Sequence, residues 1–550
     1  MTLKAAYIPR ICRYETFETQ RALVDNMEST MHNETKLQAV TPKFQALFTS
    51  STSAITTVLG CLFIWWLLST RNKKSVPNIY GNYNFEAPIV GYKNAILGRW
   101  QFYRNGPALI REGYAKYRDT FFKVSGNDLL IVPNKYLAEL ASMPPEILSL
   151  NTAIVDAFQR LHSITAVIAD HSLQTRMIMT RLTPKLGAHV PLVQAQFRKH
   201  LPQELPATAD KWTSVNALAL ARRMVHRGVA TQFVTELAEN EEYLSTAIRY
   251  SENGFMHNFL LRVFPDWTKP TVAFFLPTSW GVDAALRKAK RLVIPLIRER
   301  RRREAEDVDY TKPDDFLQHL MDGGVDIQDD VDTTVQRLMV TYLGSGPSTI
   351  IAVAQVLFDL CAHPEYVEPL RQEAIEVLHN GGYTRQALAE MKKMDSFMRE
   401  SQRLSPPTQL GFNAVVREPV TLHDGVVLPE GAHIQMATYA IGIDPDRVPD
   451  PERFDGMRQY NNRKQSGQGN WHQFTTTSEN NLHFGHGKIV CPGRFFADHS
   501  IKMIISNILI KYHLRFAGGA TERPANTSMY DVVIPDLNTC VEFKLREDAS

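Results

Sequence analysis

Cysteine is scarce in this chain. Only five occur in 550 residues (Cys12, Cys61, Cys361, Cys491 and Cys540), odd in number and widely separated. That excludes a disulfide framework and fits a reducing compartment. An excess of charge is missing too. The 61 Lys and Arg stand against 58 Asp and Glu, a net +3, too little for a nucleic-acid-binding surface. No zinc-finger spacing, helicase pattern, phosphate loop, flavin fingerprint or nicotinamide fingerprint is present. The most basic run, residues 298–306 (RERRRREAE), is followed by acids through Asp307 and reads as a solvated helix end.

Uncharged hydrophobic runs are equally rare. One stands out: residues 54–68 (AITTVLGCLFIWWLL), followed by Arg71, Lys73 and Lys74. With Ser53 and Ser69 it reaches the short end of the membrane-helix range. Trp65 and Trp66 suit an interfacial belt, and the basic cluster favours a cytosolic C-terminal side. The competing reading is a buried core helix. Residues 1–52 mix Arg10, Arg13 and Arg21 with Glu15, Glu18, Asp25 and Glu28, which argues against a mitochondrial presequence. Met27 and Met31 leave a later start open, and no role is assigned to this arm. Residues 71–90 read as a linker with Pro77, Gly81 and Pro88.

What remains is an ordinary globular composition, 44% hydrophobic and 22% charged, with enough apolar residues for a large core. Residues 121–132 predict a β-hairpin turning at Ser125 to Asp128. Residues 150–310 are patterned mostly as helices. Residues 333–362 predict a long apolar helix interrupted by Gly344-Ser345-Gly346-Pro347-Ser348-Thr349. Pro347 cannot donate to the carbonyl four residues back, so the helix must bend or open there, or pay about 3 kcal/mol. Residues 415–437 read as strands, residues 500–512 as helix and residues 539–545 as strand.

The chemistry concentrates in residues 484–497, FGHGKIVCPGRFFA. Gly485 and Gly487 permit positive φ and a close approach to a flat partner. Pro492 predicts a helix start just after Cys491, whose free N–H groups and dipole favour a thiolate. Three readings of Cys491 compete. It is a buried core thiol; or it joins His483, His486 and His499 in a zinc set (H-x2-H-x4-C-x7-H); or it is an axial ligand to haem iron. Upstream, Glu400 and Arg403 form E-x-x-R, on one helix face where they can pair, and residues 451–454 read P-E-R-F with Arg453.

The stretch around Cys491 resembles the haem-binding loop of the cytochrome P450 family, F-x-x-G-x-[RH]-x-C-x-G. Phe484, Gly487, Cys491 and Gly493 fall on its fixed positions, and Arg494 and Ala497 extend the match. The E-x-x-R and P-E-R-F runs occur in the family's order ahead of it. Residues 181–187 (RLTPKLG) and 362–366 (AHPEY) look fungal in style. Two positions depart from the pattern. Ile489 replaces the Arg or His that contacts a haem propionate, leaving Lys488 as the nearby charge. Pro347 replaces the acid of the A-G-x-[DE]-T-[TS] run, with Ser348 on the threonine position and Thr349 after it. The family's W-R pair is not evident.

The resemblance implies a mainly α fold with a smaller β-rich lobe, the cytochrome P450 fold, preceded by one N-terminal transmembrane helix (residues 53–70). The catalytic domain would span 91–550. It implies Cys491 as the haem iron ligand, with Phe484, Gly487, Lys488, Gly493 and Arg494 around the cofactor. Ser348 and Thr349 would serve proton supply, and Glu400, Arg403 and Arg453 would form a buried network behind the loop. The cofactor would be heme b, since no C-x-x-C-H for covalent attachment occurs. Electrons would come from NADPH through a cytochrome P450 reductase, and O2 would be the co-substrate. The implied activity is a monooxygenase acting on a bulky hydrophobic secondary metabolite such as a terpenoid or meroterpenoid. The enzyme would be single-pass in the endoplasmic reticulum membrane with its catalytic domain cytosolic. By the same resemblance, substrate contacts fall near 150–165, 338–349, 406–413 and 528–536, where Met339, Leu343, Leu410, Phe412 and Ile534 make the pocket apolar. The alternatives are a haem enzyme of this fold that rearranges or dehydrates without net oxygenation, and a non-enzymatic haem- or zinc-binding membrane protein.

Overall fold

Asp330 opens the central helix by accepting from the Thr333 N–H at 2.6 Å, a side-chain cap for an orphan donor. In the computed structural model, which describes residues 83–548 except 127–128, 158–166, 169–171, 265–267, 326 and 380, that helix is built in two pieces. The arm, the anchor run and most of the linker lie outside the described residues.

The helical elements used below are α1 (Ala95–Tyr117), α2 (Thr183–Glu204), α3 (Ala217–Phe233), α4 (Glu241–Arg262) and α5 (Pro277–Glu306). They continue with α6 (Val331–Ser345), α7 (Pro347–Ala362), α8 (Lys392–Leu404), α9 (Arg458–Arg463) and α10 (Arg494–Lys511). The predicted interruption falls at Gly346. Pro347 becomes the first residue of α7, where its missing N–H costs nothing. Helices α6 and α7 form the only stretch among the described residues long and apolar enough to cross a membrane. Two thirds of its most apolar window is buried inside the protein (67%), so it is the core helix of the fold.

The β-rich lobe holds β1 (Ile89–Val90), β2 (Phe122–Val124), β3 (Leu129–Ile131), β4 (Leu148–Ser149), β5 (Gly411–Val416) and β6 (His433–Met436). They make one mixed sheet in the order β1-β2-β3-β6-β5-β4. The predicted hairpin is β2–β3, with Phe122 opposite Ile131. A second sheet pairs the strand Tyr512–Phe516 with Cys540–Leu545.

Two of the three apolar cores among the described residues flank the site, the third lying beside α1. The larger lies among the helices and includes Met339, Tyr342, Leu343, Phe358 and Ile504. The smaller underlies the sheet and includes Leu137, Leu140, Phe412, Ile434 and Ile489. The loop before α10 runs between these bodies. Lys502 of α10 pairs with Asp395 of α8 at 2.8 Å and with Asp498 at 3.0 Å. Arg463 of α9 holds the other side of Asp395 at 3.1 Å. Two buried acids facing two cations fix α10, and the loop in front of it, against α8.

The basic run resolves differently from its sequence reading. Arg302 and Arg303 pair with Glu299 and Glu306 on the exposed end of α5. Arg300 does not join them: it is buried and grips Asp315 with two bonds of 2.8 and 2.6 Å. One residue in this run is therefore a core ion pair.

Candidate haem-thiolate site

The Cys491 loop is shaped by its glycines. Gly485 has φ +71° and a Cβ there would lie 2.3 Å from the Ile489 carbonyl oxygen; Gly487 has φ +59°, with the Ala141 carbonyl oxygen at 2.3 Å. No other residue fits either place without moving backbone. The chain returns so that the Cys491 N–H donates to the Phe484 carbonyl at 2.7 Å, while the Phe484 ring packs edge-on to Phe474. Helix α10 begins at Arg494 with Gly493 as its N-cap, so Pro492 precedes the helix instead of sitting in its first turn.

Burial pushes the Cys491 thiol up, while the Gly493 N–H, the Arg494 charge and the Arg494 N–H oppose that shift. Arg494 also donates to the Cys491 carbonyl at 2.9 Å and stacks on Phe495. Backbone donors aimed at a half-buried sulfur are the environment of a thiolate that a cationic centre completes.

The rest of the site bears on whether a flat cofactor fits. A Cβ on Gly493 would meet nothing within 4 Å, and the same holds for Gly344 on α6. Gly344 and Ser348 lie one turn apart on one face, and both are exposed. The Thr349 hydroxyl is buried and donates to the Ser345 carbonyl at 2.9 Å, so of the two hydroxyls only that of Ser348 is free. These glycines leave room beside the sulfur and beside the helix, and the donor set suits one thiolate ligand. Haem fits this arrangement. Zinc does not: the described residues contain no group of three or more His, Cys, Asp and Glu that could hold a metal ion. His486 bonds Thr477 at 2.9 Å instead.

Behind the loop, Arg403 forks onto Glu400 with bonds of 2.9 and 2.6 Å, both side chains buried. Arg403 also donates to the Gly442 and Arg453 carbonyls at 3.2 and 3.3 Å. The Arg453 side chain, expected in this network, is exposed. Its turn directs a carbonyl at Arg403, and Arg458 supplies the second guanidinium, 3.3 Å from Glu400. The run F-D-G-M-R, residues 454–458, was the available signal for Arg458. Ile489 is buried in the core beneath the sheet, which accounts for an apolar residue at that position. Lys488 is exposed and has no ion pair among the described residues. Met339 and Leu343 sit in the helical core, Phe412 in the sheet's core and Leu410 beside α1, while Ile534 is half-buried.

Residues 151–543 match the family model described as Cytochrome P450. The chain belongs to the cytochrome P450 family. It is 41% identical over 488 residues to cytochrome P450 monooxygenase AN1598 of Emericella nidulans, covering 87% of this chain and 90% of that one. It is 38% identical over 476 residues to cytochrome P450 monooxygenase olcJ of Penicillium canescens, covering 85% and 90%. With cytochrome P450 monooxygenase paxP of Penicillium paxilli it shares 35% over 475 residues, covering 84% and 91%. This P450 is an oxidoreductase of the monooxygenase type, using a haem-thiolate cofactor, dioxygen and electrons from a redox partner. Cys491 is the residue that would hold the haem, and a thiolate ligand there would supply the electron donation on which the family's dioxygen chemistry depends.

Two glycine substitutions separate fold from cofactor. Gly487→Ala should lower the unfolding midpoint, through about 1–2 kcal/mol of left-handed backbone strain plus the displaced Ala141. Gly493→Ala, at φ −90° with open space ahead of its Cβ, should leave backbone stability nearly unchanged yet reduce haem content. Paired melting and haem-to-protein measurements check both. Equal haem loss with equal melting loss would contradict the assignment of Gly493 to the cofactor face.

Proposed function

We propose that this P450 inserts oxygen into a bulky hydrophobic secondary metabolite, a terpenoid or meroterpenoid intermediate of fungal biosynthesis. Its haem is heme b, and NADPH supplies the electrons through cytochrome P450 reductase. Residues 53–70 anchor it in the endoplasmic reticulum membrane, with the catalytic domain on the cytosolic side, in line with Arg71, Lys73 and Lys74 after the run. The observation that carries the reading is Cys491 faced by two backbone N–H groups, and the free, exposed Ser348 hydroxyl on α7 adds to it. Ser348 holds a proton where the reaction needs one. Cys491 and the glycines beside it seat the cofactor. Apolar Met339, Leu343 and Leu410 near the expected substrate segments favour an apolar substrate.

A second reading rests on Pro347. With no acid before Ser348, proton supply is weaker than in the family pattern, which suits a rearrangement or dehydration without net oxygenation. Co-expression with a reductase, candidate terpenoid precursors and isotopically labelled dioxygen separates the two. A product carrying labelled oxygen is expected. NADPH-independent conversion without label would establish the second reading, and no oxygenated product from any terpenoid precursor would refute the substrate class. Ser348→Ala should cut labelled product about 10²-fold, the contribution of a positioned proton donor.

A further inference from the structure

The hairpin of strands Thr527–Met529 and Val532–Ile534 stands apart from the larger sheets, its two strands paired only with each other. A two-stranded hairpin is at best marginally stable by itself in water, so its anchors decide where it sits. The tip has its own: Asp531 pairs with Arg262 of α4 at 3.0 Å and accepts the Thr408 hydroxyl at 3.0 Å. The second strand lies along the chain that follows α8. There the Val533 N–H donates to the Pro407 carbonyl at 3.1 Å, and Val532 forms an isolated bridge with Thr408. Pro407 in turn lines a cavity whose other walls include Ala352 and Phe474. Ala352 is one turn past Ser348 on the same face of α7, and Phe474 packs against Phe484 of the Cys491 loop. The hairpin therefore backs a wall of the space beside the site.

The first strand rises from a buried polar cluster. Asp359, in the last turn of α7, is buried and accepts from the Arg523 Nε–H and from the Ser401 hydroxyl, each at 2.5 Å. The same guanidinium donates to the Gln355 side-chain oxygen and, at 3.1 Å, to the Ser405 hydroxyl. Asn526, the residue before the strand, closes the ring: it accepts from the Gln355 amide at 3.0 Å and donates to Ser405 at 3.1 Å. Gln355, Ser401 and Ser405 also line the cavity. One guanidinium thus joins the end of α7, the end of α8 and the foot of the hairpin. A rigid planar fork can serve three acceptors at once; an ammonium on a flexible stem cannot reproduce that geometry.

We propose that Arg523 is a positioning residue for substrate: its bonds to Asp359, Gln355 and Ser405 set the tilt of the 527–534 hairpin about its tip, and with it the apolar space open to substrate. The guanidinium does not touch the substrate; it acts through the hairpin it holds. The inference rests on the haem monooxygenase reading and deepens it by naming what sizes the substrate space.

The test uses full-length holoprotein and two azole probes, imidazole and dodecylimidazole, each read by the shift of the haem absorption band on binding. Both bind through the same ring nitrogen, but only the second carries an apolar chain to fill the substrate space. Arg523→Lys keeps the charge that Asp359 faces and loses the fork. It is expected to weaken dodecylimidazole binding about tenfold, the worth of one or two ordinary hydrogen bonds, and to leave imidazole within about twofold. Amide hydrogen exchange should speed up across 527–534 while α7 and α8 keep their protection. Should that variant fail to fold, Asn526→Ala removes the outer bonds, keeps the ion pair, and is expected to show the same pattern at smaller size. Unchanged dodecylimidazole binding, or unchanged exchange in the hairpin, overturns the proposal. Equal weakening of both probes also overturns it, because the cluster would then be acting on the seat of the haem. A wild type lacking the red-shifted carbon monoxide band would overturn the haem-thiolate reading, and this inference with it.

Discussion

With serine at position 491, the reduced, carbon monoxide-bound protein should lose the far-red-shifted band that marks thiolate ligation, and turnover should fall below detection. The size of this effect follows from how little else can substitute. A serine hydroxyl is a far weaker acid than a thiol, so the Gly493 and Arg494 N–H groups that help the sulfur anion cannot produce an alkoxide near neutral pH. The remaining described cysteines offer no replacement. Cys361 is buried at the end of α7, where burial raises its thiol far above the usual range, and Cys540 lies on the last strand. Haem bound in such a variant would lack the electron-donating ligand that favours O–O cleavage. Retention of the pigment with an unchanged carbonyl-complex spectrum would remove Cys491 from the centre of the site.

The parts of this site that the sequence announced are those governed by local backbone chemistry. Gly485 and Gly487 take positive φ because the loop turns twice within a few residues. Pro347 ends one helix and begins another because the ring forbids one donor and fixes one angle. Such rules act within a turn of the residue, so a motif carries them. The parts that escaped depend on partners distant in the chain. Arg453 and Arg458 are both plausible partners for Glu400 in sequence; only the turn at 449–453 decides that one offers a carbonyl and the other its guanidinium. Ile489 departs from the family pattern for a reason visible only once Leu137, Leu140 and Phe412 are seen around it. Arg300 lies in a charge run that reads as solvated, yet it is buried against Asp315. Thr349 looked equivalent to Ser348 until its hydroxyl was found bonded to the preceding turn.

The Glu400–Arg403 pair supplies the second large effect, and it distinguishes the observed network from the one the motifs suggested. Glu400 is completely buried and receives Arg403 in a two-bond fork, the Asp455 N–H at 3.0 Å and the Arg458 guanidinium. Removing one partner of a buried pair strands the other charge, at about 3–5 kcal/mol. Against a total stability of roughly 5–15 kcal/mol, that loss is enough to deplete the folded state. Glu400→Ala and Arg403→Ala should therefore yield little haem-loaded protein. Arg403→Lys should not rescue, since an ammonium cannot reproduce the planar fork. Arg458→Ala should cost less, about 1–3 kcal/mol, because Arg403 still neutralises Glu400. Arg453→Ala should be nearly silent, within about 0.5 kcal/mol, because only its carbonyl takes part and alanine keeps that. Unfolding midpoints and haem-to-protein ratios across the four positions give the ranking. An Arg453→Ala variant as damaged as Arg403→Ala would mean the exposed guanidinium has a role that its turn does not reveal. The order Arg403, Arg458, Arg453 would place the loop's support on the fork from α8 and its brace from α9, leaving the P-E-R-F arginine a marker of the turn.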